Sequence, residues 1–343
     1  MRPATLPKLF AAPAGSTRLL LTLFVACADP EPSDPPSPPA WVESLALDQG
    51  GWLLSSWGPA KNDVYAVGGS PERGLITHFD GQTWTPIELG FDVPLINWVH
   101  GFGPTDVYFV GTHGTILHFD GARFTKSATV TSADLWGVFC AAPDDVWAVG
   151  GGARRVEDAT VLHYDGIRWE RMSTPELQHP NVFSFFKVWG TSSRDVYVVG
   201  QRGVVLRWDG ASFTELFVGS SEDLVSVWGT GPSRIAIVGG RSNGELVTFD
   251  GIDWAREPLA PLPGLNGVWF RDPSKVHIGG EDGTVATYDW ESREVTLEVQ
   301  KTHLSIHALF GVGGKLHAVG GSLLSIEPPH RGVVLTRELR AEE

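Results

Sequence analysis

From residue 41 onward the chain consists of short apolar runs separated by polar turns, and no stretch repeats its apolar positions with a helical period of useful length. The cleanest copy of the unit spans 188–210. Val196, Tyr197, Val198 and Val199 are β-branched or aromatic, which suits a strand buried on both faces. Gly200 ends that run and a polar turn follows. A second apolar run starts at Val204 and stops at Asp209-Gly210, a dipeptide that favours a tight reversal. Val188-Trp189-Gly190 comes before the unit's centre, and Phe213 opens a last short run. The pattern predicts four antiparallel strands per unit, lettered a to d in sequence order.

The glycine that closes strand b recurs at Gly68, Gly111, Gly150, Gly200, Gly239, Gly279 and Gly320, in steps of 43, 39, 50, 39, 40 and 41 residues. Four strands per step is the spacing of propeller blades. Seven copies predict an all-β, seven-bladed β-propeller of four-stranded antiparallel blades. The two ends of the repeat are incomplete in complementary ways. Trp41-Val-Glu-Ser-Leu-Ala-Leu47 resembles a strand d without a unit of its own, since Trp41 stands 16 residues before Trp57 as Trp84 stands 16 before His100. Arg331-Gly-Val-Val-Leu-Thr336 matches strand c and has no strand d after it. Residues near 41–47 are therefore expected to complete the last blade and close the ring, removing an open edge that would template aggregation.

Ahead of the repeat, residues 1–28 place Arg2, Lys8 and Arg18 before the short apolar run Leu19–Ala28, with no acidic residue. That is the layout of a secretory signal, and the run is too short to span a bilayer. Phe24-Val25-Ala26-Cys27 is similar to a bacterial lipobox, which would place lipid on Cys27, whereas Ala26-Cys27-Ala28 also fits ordinary cleavage after Ala28. Residues 29–40 form a Pro-rich linker, an extended spacer between that point and a propeller domain at 41–343. With Cys27 lipidated, Cys140 stands alone and no disulfide framework is expected. The protein is expected to be exported, either as an outer-membrane or cell-surface lipoprotein or as a secreted protein. Its 26 basic and 40 acidic residues give a formal net charge of −14, a balance that disfavours nucleic acid and anionic lipid as partners. Membrane contact is expected only through a lipid at Cys27, and the protein is expected to be a monomer.

The units resemble those of secreted bacterial β-propellers with Trp-Gly-x4-Asp-Val-Tyr/Trp-Ala-Val-Gly repeats. They are also similar to Kelch repeats: Val-Tyr-Ala-Val-Gly68-Gly69, followed by His78-Phe79-Asp80-Gly-Gln-Thr-Trp84, has the paired glycines, aromatic and Trp in Kelch order. The resemblance covers roughly residues 41–338 and implies the fold, but propellers host many unrelated activities. The Asp-Gly-x-x-Trp turn is one residue shorter than the sialidase Asp-box. The Thr-Gly-Lys turn of quinone-cofactor propellers is missing, and nothing places a Tyr and two His beside Cys140 for a galactose-oxidase-like copper site. No cofactor, metal or catalytic residue is assigned.

Residues present in every blade belong to the scaffold, and a site is expected where blades differ. His78, His118 and His163 share one register and predict structural hydrogen bonds. The Asp of each Asp-Gly turn predicts a cap on its own backbone. The strand a aromatics predict inter-blade packing, and Cys140 a buried inert thiol. The a–b and c–d connections are nearly constant in length, whereas the b–c and d–a connections vary and must share one face of the disc. Binding loops are expected on that face. Its b–c loops carry Arg73, Arg154, Arg155, Arg202, Arg241 and Arg331, guanidinium groups that suit carboxylate or phosphate. The loop 151–160 and the link 172–186, with His179, Asn181 and Phe183, form the best single patch. The function expected is a binding module for a protein or glycan, anionic groups included. The alternative is a secreted propeller enzyme, a hydrolase or lyase acting on sugars or anionic substrates, with Glu157, Asp158 or His179 as acid and base.

Overall fold

The computed structural model describes residues 39–128, 130–152 and 159–341. The expected signal segment with Cys27, the linker up to Pro38, and Arg154, Arg155, Glu157 and Asp158 lie outside the described residues. Within those residues, 28 strands form seven four-stranded antiparallel sheets, each ordered a-b-c-d. Blades 1 to 7 take their strands a from Trp52–Ala60, Ile96–Gly103, Asp134–Ala142, Phe185–Ser192, Leu224–Gly231, Leu265–Trp269 and Ser305–Val312. The fold is the seven-bladed propeller that the repeat predicts. In blade 4, Val196, Val198 and Val199 of strand b have no exposed surface, as a strand covered by both neighbouring blades requires.

The ring closes between the first and last strands. Val42–Leu47 pairs antiparallel with Gly332–Glu338, Ala46 opposite Val333 and Val42 opposite Thr336, and so supplies the outer strand of blade 7. Trp41, 5% exposed, lies in one buried cluster with Val333 and Leu335. Its indole N–H donates to Glu298 Oε2 at 2.6 Å, and the Arg337 guanidinium sits 5.3 Å from its ring centre. Arg337 takes the register that Phe79 and Trp208 hold in blades 1 and 4. Its Nε pairs with Glu298 at 3.0 Å, so the closing blade is also tied to the residue that follows strand d of blade 6, Val295–Leu297.

Around the axis, three strand a tryptophans cover the residue one place further along in the next blade. A Cβ at Gly101, Gly229 or Gly311 would overlap the indole of Trp57, Trp189 or Trp269 of the preceding blade. Blade 2 breaks the series with the smaller imidazole of His100, and there blade 3 carries Cys140 in place of glycine. The Cys140 N–H donates to His100 Nδ1 at 3.1 Å, and burial pushes the thiol well above its usual pKa. Cys140 is thus a packing partner of His100. His100→Trp is expected to cost about 1–3 kcal/mol by overpacking, and Cys140→Gly in the same background to recover most of that loss. Urea denaturation of the single and double variants checks it; equal midpoints for the two would show that the steric pairing does not exist.

The Asp turns and His pairs are structural, as their repetition implies. Asp80 Oδ1 accepts the N–H groups of Gln82 and Thr83, both at 2.8 Å, and Asp120, Asp165, Asp209, Asp250 and Asp289 repeat this arrangement. Backbone bonds from Thr83 and then Gln82 hold the Asp80 carboxyl below its ordinary pKa. His78 and His163 each bond their own blade's Asp63 and Asp145 at 2.8 Å and lie against Tyr65 and Trp147, ring centres 4.8 and 4.3 Å apart. Blade 6 has a longer turn: Asp289-Trp-Glu-Ser-Arg-Glu makes a wider reversal, with Arg293 at φ 60°, and strand d begins at Val295.

Candidate functional site

The loops sort onto two faces as the antiparallel order demands. A Cβ on Gly81, Gly166 or Gly210 of the c–d turns would meet Asn62, Asp144 or Arg194 of the a–b turns, so these share one face. On the other face the b–c turns bond the d–a links: Gly114 N–H to Ala133 O at 2.9 Å, Gly203 N–H to Glu222 O at 2.5 Å, Gly244 N–H to Leu262 O at 2.8 Å, and Gly51 N–H to His330 O at 3.1 Å. These described b–c and d–a connections therefore share a second face, the loop face.

Several candidate residues meet at blade 4. Arg202 stands at φ 57° in a tight turn, and its Nε donates to Asn181 O at 3.1 Å. Asn181 N–H donates to His179 Nδ1 at 3.1 Å, and Phe183 N–H to Gln201 Oε1 at 2.8 Å. Asp223 joins this turn to blade 5: one carboxylate oxygen accepts the Arg202 N–H at 3.1 Å and the other pairs with Arg241 Nε at 2.9 Å. The Arg241 guanidinium lies 5.3 Å from the Phe186 ring centre. Two arginines stand apart from this group. Arg73, exposed, lines a cleft of about 680 Å³ in blade 1 together with Gln49, Ile87, Glu88, Phe91 and Asp92. Arg331, also exposed, ends the long b–c loop of blade 7, its N–H bonded to Ser322 Oγ at 3.1 Å.

A further cluster, which sequence reasoning assigned to the scaffold, sits in the central channel near the loop face. Two residues before the strand a aromatic, blades 1 to 7 carry Ser55, Trp98, Gly137, Lys187, Ser226, Gly267 and Ala308. Lys187 is 4% exposed. Its Nζ lies 3.9 Å from the Trp98 ring centre and donates to Trp136 O at 3.0 Å. Burial lowers the pKa of this ammonium to about 7. The Trp98 ring stands 6.3 Å from the half-buried His307 of blade 7, centre to centre. His307 Nδ1 is 2.6 Å from Leu54 O; a carbonyl only accepts, so the proton is on Nδ1 and Nε2 keeps its lone pair. Burial, then the Lys187 charge, bring His307 down to about 3, and it is neutral at physiological pH. A cavity of about 20 Å³ lined by Ser56, Val99, Val227, Val268 and Leu309 leaves room for roughly one water. The readable signal was a lysine at a register where five other blades carry Gly, Ala or Ser.

Among the described residues no group of three or more His, Cys, Asp or Glu side chains is placed to hold a metal ion, and no helix is long and apolar enough to cross a membrane.

The fold and its one-sided loops define a seven-bladed β-propeller with a variable face. Its solved likenesses include YCF48 bound to D1 peptide, at TM-score 0.64 and 15% identity over 88% of this chain and 97% of that one. They also include YCF48 from Cyanidioschyzon merolae, at TM-score 0.64 and 14% identity over 88% and 98%. At such identities the likeness is one of fold. The sequence is also 26% identical over 121 residues to the immune protein Tsi7 of Pseudomonas aeruginosa, a match covering 33% of this chain and 37% of Tsi7, so it spans little more than a third of that relative's length. No family model matches the sequence.

Proposed function

We propose that the loop face is a polypeptide-recognition surface and that the propeller is the rigid frame presenting it. One observation carries the reading. Of eleven large apolar side chains exposed among the described residues, six stand on loop-face connections: Phe91, Val130, Phe217, Val299, Leu324 and Ile326. Leu324 and Ile326, 77% and 79% exposed, project from one loop of blade 7. Exposed aliphatic and Phe side chains next to guanidinium groups suit a protein partner with acidic positions better than a glycan. The peptide bound to a propeller of the same architecture supports the same choice. The reading extends to location: the basic, apolar segment 1–28 exports the protein, which is then either held at a membrane by lipid on Cys27 or released by cleavage after Ala28.

The test is capture from cell-envelope extract by the wild-type protein and by two variants. Phe217→Ser with Leu324→Ser and Ile326→Ser alters the loop face; Ile167→Ser with Ile252→Ser alters exposed residues on the opposite face. The loop-face variant is expected to lose its captured proteins and the other to keep them. The reverse pattern, or equal capture by both, would overturn the reading.

A further inference from the structure

We propose that the loop-face mouth of the central channel binds a carboxylate, with the Lys187 ammonium as its counter-charge and the indole of Trp98 beside it. The proposal deepens the polypeptide reading and rests on it for the expected source, the free C-terminus of a bound polypeptide or one of its acidic side groups. A free small carboxylate is the other source of the same chemistry.

The geometry presents a charge without a counter-charge. Lys187 is 4% exposed and has no carboxylate partner among the described residues. Its ammonium has three donors; the Trp136 carbonyl takes one, and the Trp98 ring offers only its π face. An unpaired buried cation is strongly disfavoured, and a methionine would fill similar volume without that penalty. The repeat does not require a cation here, because Ser, Gly and Ala occupy this register in five blades. On the rim, Arg241 stacks over Phe186 and its charge reaches His307. The acid beside it, Asp223, is already engaged by Arg241 and by the Arg202 N–H. The mouth is therefore a positive spot on a protein of net charge −14, walled by aromatic rings, where a carboxylate gains an ion pair in a site of low dielectric.

A pH dependence follows. The carboxylate needs the ammonium form, and the unliganded amine titrates at about 7. Affinity is expected to be level below that value and to fall as pH rises above it, approaching tenfold per unit. The other groups facing Lys187 do not titrate in that window. His307 of blade 7 and His100 of blade 2 are lowered by burial to about 3 and about 4. Burial keeps Cys140 of blade 3 protonated, and the blade 5 turn contributes the guanidinium of Arg241.

The experiment offers the full-length protein a random decapeptide library with free C-termini, the same library capped as amides, and sodium acetate. Selected peptides are then titrated by calorimetry against wild type and Lys187→Met at several pH values. Expected are peptides whose affinity drops at least tenfold on amidation or on Asp/Glu→Asn/Gln exchange, and falls further above pH 7. Lys187→Met is expected to bind acid and amide forms alike while melting no lower than wild type. Peptides that bind Lys187→Met as tightly as wild type with the same acid preference would overturn the channel site and leave the polypeptide surface standing. Acetate bound through Lys187 with no peptide bound would keep the carboxylate site and overturn the polypeptide reading. No binding in any arm would overturn both.

Discussion

Removing residues 41–47 is expected to convert the protein into an aggregating species with no cooperative unfolding transition near that of the intact form. The segment is short, but it holds three things at once. Its backbone pairs with Gly332–Glu338, and without it that strand becomes an open edge with unpaired N–H and C=O groups. Its Trp41 fills the cluster that includes Val333 and Leu335, and truncation of a buried Trp alone costs about 3–5 kcal/mol. Its indole also bonds Glu298, the residue that joins blade 7 to blade 6. Size-exclusion chromatography and urea unfolding of the truncated protein, with Trp41→Ala as the milder variant, measure the effect. A truncated form that elutes and unfolds like the intact one would show that blade 7 is stable with three strands.

Glu298→Ala should be the most damaging substitution of an ion-pairing side chain, at about 3–5 kcal/mol. Arg337 is 2% exposed at its side chain, and its Nε meets Glu298 at 3.0 Å. The same carboxylate accepts the Trp41 N–H at 2.6 Å and the Thr287 hydroxyl at 3.1 Å, so alanine strips partners from three blade elements together. Removing the charge at both ends should be milder: Glu298→Leu with Arg337→Leu leaves no uncompensated guanidinium. The urea midpoints of wild type, single and double variants decide this. A double variant no more stable than Glu298→Ala would mean that the hydrogen bonds, rather than the buried charge, hold the seam.

Most of the architecture was readable because the glycines and Asp-Gly turns that enforce it recur at a fixed step, and because Trp41 and Val333 sit in incomplete copies of the same unit. Short apolar runs such as Val196–Val199 announce themselves in one dimension. Arg337 was not readable as a seam residue, since its partner Glu298 is a blade away and only closure brings them together. Cys140 was readable as a buried thiol, but its contact with His100 of the adjacent blade was not, because only the ring brings the two blades together. The candidate site was legible in outline only. Loop lengths separated the variable face from the constant one, and the grouping of His179, Asn181, Phe183 and Arg202 follows from their nearness to one turn. Lys187 was hidden inside a strand that reads as scaffold, because a channel at the axis is created by all seven blades and belongs to none of their sequences.

Hydrogen exchange of the full-length protein, alone and with a bound polypeptide partner, is the most direct measurement of recognition by the variable face. A partner seated there slows exchange in residues 87–95, 172–184, 216–223 and 322–331 and leaves the Asp-Gly turns around Gly81, Gly166 and Gly251 unchanged. Slowed exchange confined to those turns and the a–b connections would contradict it.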